Sequence, residues 1–332
     1  MELQAVSAGS YPRIGDAAEQ QRLRYAYASF RSGELTVGAL RKLEDEVVAD
    51  VLAEQVSAGL DLVTDGLVRW YDPISHMAQA LMGIEPGPLR PYFETGSEYR
   101  QALVRGPLLR TRPLVAEEYT FASSQSTRPV RAVLTGPVTL ACASVLDTPA
   151  YPSVAILARS YAEILAAEVG TLVEAGARYI QIDEPTVASR SDLLELAAET
   201  LTMIAGAKGA AELTLALFLG DPGHALPTLT TLPIDVFAID VLHSPRAVEA
   251  LIGSPPPQRL ALGIVDATNV TNDDVASRAR TIEPLLAGPP TGPHYLTSTG
   301  GLEHLPRASA REKITSLARI RDALVGDAGA AA

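Results

Sequence analysis

The chain has 332 residues, of which 47% are hydrophobic and 20% charged, enough for one large α/β domain. Its 39 acidic against 27 basic side chains give a formal net charge of −12, which argues against a nucleic-acid surface or an anionic-membrane face. The single cysteine, Cys142, excludes an intramolecular disulfide and fits the expectation of a cytoplasmic protein; Met1-Glu2-Leu3-Gln4 lacks the basic start and apolar core expected of a signal peptide, and no apolar run approaches ~18 residues.

In chain order, hydrophobic patterning predicts a strand at Gln4–Ala8, a helix over Ala39–Ala58, and strands at Asp61–Thr64 and Val130–Leu134. A helix over Val154–Ala175 follows, with apolar residues at three- and four-residue spacing that mark one buried face. Then come a strand at Arg178–Ile182, a helix over Leu193–Ala207, and strands at Glu212–Phe218 and Val236–Ile239. The last part predicts a helix over Pro245–Ile252, a strand at Leu260–Val265, a helix over Asp273–Leu286, a strand at Tyr295–Ser298 and a helix over Ala310–Val325. Eight strands that mostly alternate with helices predict an α/β fold, a (β/α)8 TIM barrel, with a doubly wound open sheet as the alternative. No GxGxxG follows the first strand, which counts against a dinucleotide site. The stretch from about 83 to 128, rich in prolines, charges and aromatics, reads as an irregular insertion of the lid-like kind. Residues 1–325 then form a single domain and 326–332 a flexible tail.

The predicted strand ends carry the chemistry. After the first stands Gly9-Ser10-Tyr11-Pro12-Arg13, and after the second Thr64-Asp65-Gly66 with Arg69 and Asp72 close behind. Thr135-Gly136-Pro137-Val138-Thr139-Leu140 follows the third, and Gln181-Ile182-Asp183-Glu184-Pro185 ends the fourth. Later ends give Gly220-Asp221, Asp240 with His243, Asp266, and Thr299-Gly300-Gly301. Each alone is a plain turn signal. Acids at several C-terminal strand ends of one barrel point to an active site.

In this order the motifs resemble the catalytic barrel of cobalamin-independent methionine synthase in its short, single-barrel form, from about Ala5 to Leu324. The resemblance implies methyl transfer from a methylated folate to homocysteine sulfur, with zinc holding the thiolate. It gives the zinc one His, two Cys and one Glu, and at those positions this chain has Ala216, Phe218, Gly300 and Asp240. Leu67 stands where the family has a glutamate for the substrate amino group, and Ala141–Val145 lacks the expected aromatic platform for folate.

The resemblance implies that Ser10 meets a substrate carboxylate and Asp183 a substrate amino group. Asp183, Asp240, His243 and Asp266 are the candidate catalytic residues; Ser10, Tyr11, Arg13, Asp65, Arg69 and Glu184 are the candidate substrate-binding residues. Glu184 has a structural alternative, holding a neighbouring loop, and His243 has another, capping the next helix. Arg13, Asp65, Arg69 and Asp72 read equally as ion pairs. The expectation is an enzyme for a small amino-acid-like or carboxylate substrate, with no metal, no certain cofactor and folate left open. Its chemistry is acid–base work or one-carbon transfer, with no nucleic-acid or membrane partner and no oligomeric state read. The alternatives are an ordinary zinc- and methyl-folate-dependent homocysteine methyltransferase and a non-catalytic small-molecule-binding protein.

Overall fold

The computed structural model of the chain describes residues 2–271, 273–286 and 292–330. Its strands are β1 (Leu3–Ala5), β2 (Leu81–Pro91), β3 (Glu98–Arg110), β4 (Ala132–Thr135), β5 (Ser144–Leu146), β6 (Tyr179–Asp183), β7 (Glu212–Leu217), β8 (Val236–Asp240), β9 (Arg259–Val265) and β10 (His294–Ser298). Two compact units divide the chain: Met1–Arg69 with Glu118–Val130 and Ala261–Ala332, and Trp70–Glu117 with Arg131–Leu260.

In the first unit β1 lies parallel to β10, pairing Leu3 with His294, and β10 lies parallel to β9, pairing Tyr295 with Ala261. The expected strand Asp61–Thr64 shrinks to two isolated bridges, Val6 to Leu62 and Val63 to Val130. The reason is a side chain. Buried Gln55 donates to the Thr64 carbonyl at 2.8 Å and accepts the Thr64 N–H at 3.1 Å, so an amide replaces the ladder partner. Gln55 comes from the helix Val37–Ser57, whose N-cap Thr36 accepts the Ala39 N–H at 3.2 Å. The helix Arg307–Ala330 continues past Gly326, where the sequence suggested a tail; Ala331 and Ala332 lie outside the described residues.

In the second unit four parallel strands run in the order β4, β6, β7, β8, with Thr135, Asp183, Ala216 and Ala238 in register across them. Parallel strands need crossover connections, and helices supply them. The helix Val154–Glu174 follows β4 and buries Leu157, Tyr161, Leu165, Val169 and Leu172 along one face. Burial of each such side chain stabilises the fold by roughly 1.5–3 kcal/mol.

The stretch read as irregular is ordered. Within it β2 and β3 form a long antiparallel hairpin, and β5 adds to β3 in parallel. β2 is an edge strand, where prolines are tolerated. Its register shifts next to Gly83 and again between Pro86 and Leu89, and these bulges break the period-two pattern that would have revealed it. Among the described residues no helix is long and apolar enough to cross a membrane.

Fully buried Glu168, on the helix Val154–Glu174, ties that helix to the end of β3. It accepts the Val115 N–H at 2.8 Å, the Ala116 N–H at 3.0 Å and the Arg110 guanidinium. Removing one partner of such a group strands the others without solvent. Glu168→Ala should therefore cost about 3–5 kcal/mol in urea unfolding, and Glu168→Gln clearly less.

Candidate functional site

Register decides which side chains share a side of the sheet in the second unit. Asp183, Ala216 and Ala238 stand abreast. Side chains alternate along a strand, so Gln181, Phe218 and Asp240 project to that same side. Asp183 and Ala238 are half-buried while the neighbours of Ala238 within β8 are buried, so solvent reaches this side at the strand ends. Beneath Asp183 runs a polar chain. Buried Arg131 donates to Gln181 Oε1 at 2.7 Å, and Gln181 Nε2 donates to Asp183 Oδ1 at 2.7 Å. This chain sets the orientation of the Asp183 carboxylate.

Glu184, one residue on, points the other way and is fully buried. Its carboxylate accepts the Val138 N–H at 3.0 Å, the Thr139 N–H at 2.7 Å and the Thr139 hydroxyl. Gly136 permits this approach, because a Cβ there would collide with the carboxylate. Burial pushes the Glu184 pKa up to about 7, against the lowering pull of those three donors. Glu184 thus holds the first turn of the helix Pro137–Cys142, a structural role close to the loop-holding alternative its sequence position had allowed.

At the end of β8, Asp240 and His243 form a pair. Asp240 Oδ1 accepts the N–H groups of Leu242 at 2.9 Å and His243 at 3.1 Å, and Oδ2 lies 2.9 Å from His243 Nδ1. Burial raises the Asp240 pKa, while His243 and the two N–H groups pull it down. Cys142 is half-buried, and burial pushes its thiol up to about 11, so it stays neutral at physiological pH and suits packing better than attack.

In the first unit most of the expected binding residues have structural employment. The Tyr11 hydroxyl is buried and donates to Glu54 at 3.0 Å; Glu54 also receives Arg307 at 3.0 Å. Arg13 donates to the Val68 carbonyl at 3.2 Å and lies over the Tyr27 ring. The Arg69 side chain is 4% exposed, pairs with Asp45 and lies over the Phe121 ring. Asp65 is buried and accepts the Leu67 N–H at 3.0 Å, which helps hold Leu67 at φ +50°. Asp266 accepts from Thr268 and Asn269 within its own loop. The Ser10 hydroxyl donates to Glu303, again over a glycine, Gly301, whose Cβ would meet both groups.

In the second unit, Asp72 caps the helix Pro73–Ala78 through the N–H groups of Ile74 and Ser75. Trp70 is buried and stacks on His76 with ring centroids 4.7 Å apart. Sequence reasoning missed Glu303, Thr139, Gln181 and Arg131. For Gln181 a signal existed, since a polar residue two before Asp183 in an apolar strand has to find a partner.

The positions to which the resemblance gives metal ligands are poorly furnished. Ala216, Phe218 and Gly300 carry no donor atom, and Asp240 is engaged with His243. The space around Gly300 is open, with no atom within 4 Å of where a Cβ would stand. A zinc centre needs three or four N, S or O ligands, so these residues do not fit one. Among the described residues no group of three or more His, Cys, Asp or Glu side chains is placed to hold a metal ion.

Residues 4–318 match the family described as the cobalamin-independent synthase, catalytic domain. Among curated relatives, the methionine synthase of Saccharolobus solfataricus is 28% identical over 314 residues, covering 93% of this chain and 91% of its own. That of Sulfurisphaera tokodaii is 27% identical, covering 94% and 89%. Among solved structures, a B12-independent methionine synthase from Shewanella sp. W3-18-1, in complex with selenomethionine, superposes with a TM-score of 0.81 at 19% identity, covering 99% of this chain and 100% of that one. A putative vitamin-B12-independent methionine synthase from Listeria monocytogenes gives 0.75 at 19% identity, covering 98% and 99%. The fold these share is the (β/α)8 barrel expected from the strand–helix alternation.

The raised Glu184 pKa has a pH signature. The protonated carboxyl is favoured in the folded chain, so this contribution to stability is complete below the unfolded value of 4.5 and is lost as pH rises through about 7. Between those limits stability should fall by up to about 1.4 kcal/mol per pH unit from this group, and Glu184→Gln should flatten that slope in unfolding measured across the interval.

Proposed function

The chain belongs to the cobalamin-independent synthase catalytic-domain family, and from that premise we propose that it is a methyltransferase-like enzyme working without zinc on a small amino-acid-like or carboxylate substrate. One observation carries the reading. The strand ends keep the oriented carboxylate of Asp183, while three of the four positions that would furnish a metal ligand carry no donor atom. Asp183 holds the substrate amino group through a charge-assisted hydrogen bond, with Gln181 fixing the orientation of its carboxylate. The carboxylate role that the resemblance gives Ser10 requires its hydroxyl to leave Glu303 first. The selenomethionine bound by the Shewanella protein supports a substrate of amino-acid size. One-carbon transfer is the family's chemistry, and folate as its donor is part of the proposal.

The names of the relatives favour a second reading, ordinary methionine synthesis. The donor set at the strand ends counts against its zinc. Metal analysis together with a homocysteine methylation assay separates the two. We expect substoichiometric zinc and, where turnover is seen, no loss of it on chelation. Stoichiometric zinc with chelator-sensitive turnover would establish the second reading instead. Asp183→Asn should weaken substrate binding by about 10- to 100-fold in calorimetry, the loss of one charged hydrogen bond.

A further inference from the structure

We propose that Ser10 and Glu303, in the first unit, bind the ammonium group of a small primary amine, and that Glu303 sets this specificity. The inference goes beyond the reading of Asp183 and concerns other residues. It reverses the polarity that the resemblance gives Ser10, which was expected to meet a carboxylate. Ser10 is half-buried, and its hydroxyl donates to Glu303 Oε2. A hydroxyl has one proton and two lone pairs, and a carboxylate only accepts. With the proton given to Glu303, Ser10 Oγ and the carboxylate both present lone pairs to a ligand. An ammonium group brings three donors and the opposite charge, whereas a carboxylate brings neither. The Glu303 side chain is 41% exposed, so a ligand in solution can reach it.

The bland alternative is a surface hydrogen bond that only ties two loops. The backbone already ties them, since the Ser10 carbonyl accepts the Leu302 N–H at 3.0 Å. The side-chain contact has a requirement of its own, at Gly301. A Cβ there would collide with Ser10 Oγ and with the Glu303 carboxylate. Gly9 needs glycine for its φ of +147°, but Gly301 lies outside the left-handed region, so the contact and not the backbone excludes a side chain. At the preceding residue, Gly300, a Cβ would meet no atom within 4 Å, so open space lies one residue from the pair.

The neighbouring charges leave Glu303 available. His304 Nε2 lies 3.5 Å from Glu303 Oε1, a long contact from a ring that is itself 51% exposed. Arg307 is committed to Glu54 at 3.0 Å, and the hydroxyl of Tyr11 goes to the same carboxylate. Asp65 is buried and turned to the Leu67 N–H at 3.0 Å. Leu67, whose Cδ1 comes within 3.9 Å of where a Cβ of Gly9 would stand, brings no charge to the residue before Ser10. A ligand carboxylate at Ser10 would therefore face the like charge of Glu303 at close range. For unit charges about 4 Å apart in bulk water the interaction is worth about fivefold in affinity, so replacing an anion by a cation at one place is worth roughly 30-fold before salt screening. A ligand that also carries a carboxylate has to place it away from Ser10.

The test is calorimetry on the full-length protein at physiological ionic strength, which screens the general field of an acidic chain. The probes are putrescine and 4-aminobutyrate, chains of equal length that share one ammonium end and carry opposite charges at the other. The wild-type protein should bind putrescine about tenfold more tightly or better. Glu303→Gln should bring the two probes within about threefold of each other, and Glu303→Lys should make 4-aminobutyrate the better ligand. Glu303→Asp should keep part of the preference, and circular dichroism of each variant separates lost charge from lost fold. A wild-type preference for 4-aminobutyrate, a preference indifferent to Glu303→Gln, or no binding of putrescine overturns the inference. Asp183→Asn tests the other reading separately. If it leaves both affinities unchanged, the amino-group role of Asp183 fails, while a preference that follows Glu303 still upholds the site at Ser10.

Discussion

Glu184 is the constraint on which the candidate site depends. A carboxylate with no solvent must find its partners inside the protein. Here they are two backbone N–H groups and one hydroxyl from the first turn of the helix after β4. This fastens the end of β6 to the start of the next-door helix, Pro137–Cys142. Because neighbouring side chains along a strand point to opposite sides, turning Glu184 toward that helix turns Asp183 to the other side of the sheet. Thr186 adds a further bond to Thr139 at 2.9 Å, so the junction is held by both of its flanks.

Around that fixed point the polar residues at the strand ends divide into two kinds. Tyr11, Arg13, Arg69, Asp72, Asp221 and Asp266 are engaged in caps, ion pairs and loop turns. They build the loops and leave little capacity for a ligand. Asp183 and His243 differ, because each is oriented by a buried partner while remaining partly exposed. A preorganised group on a rigid strand end needs little rearrangement at the moment of reaction, which is what the catalytic end of this fold provides.

The resemblance gives four of these positions to metal ligands. In this chain Asp240 carries oxygen atoms there, while Ala216, Phe218 and Gly300 carry no donor atom. Ala216 and Ala238 stand in register with Asp183, and beyond the end of β8 the His243 imidazole is held by Asp240. Asp240 ends β8, and its carboxylate partners His243.

The sequence by itself determined the alternation of strands and helices, the order of the motifs and the family. These are written in local periodicity and in short motifs: the helix Val154–Glu174 is bounded within one residue of its prediction because its apolar spacing is unbroken. The hairpin β2–β3 was hidden because its edge strand carries prolines and bulges, and the strand at Asp61–Thr64 was overstated because Gln55 takes the ladder's place. Among the site residues, the strand-end acids were visible, but their employment was not. Which acid is buried depends on register across four strands, and the Ser10 partner, Glu303, lies 293 positions away in the chain. Only the tertiary structure decided that Glu184 is buried against the helix Pro137–Cys142, that Asp183 is half-buried and held by Gln181, and that Asp221 caps the helix Pro245–Gly253, because burial and hydrogen-bond partnership are properties of neighbours in space.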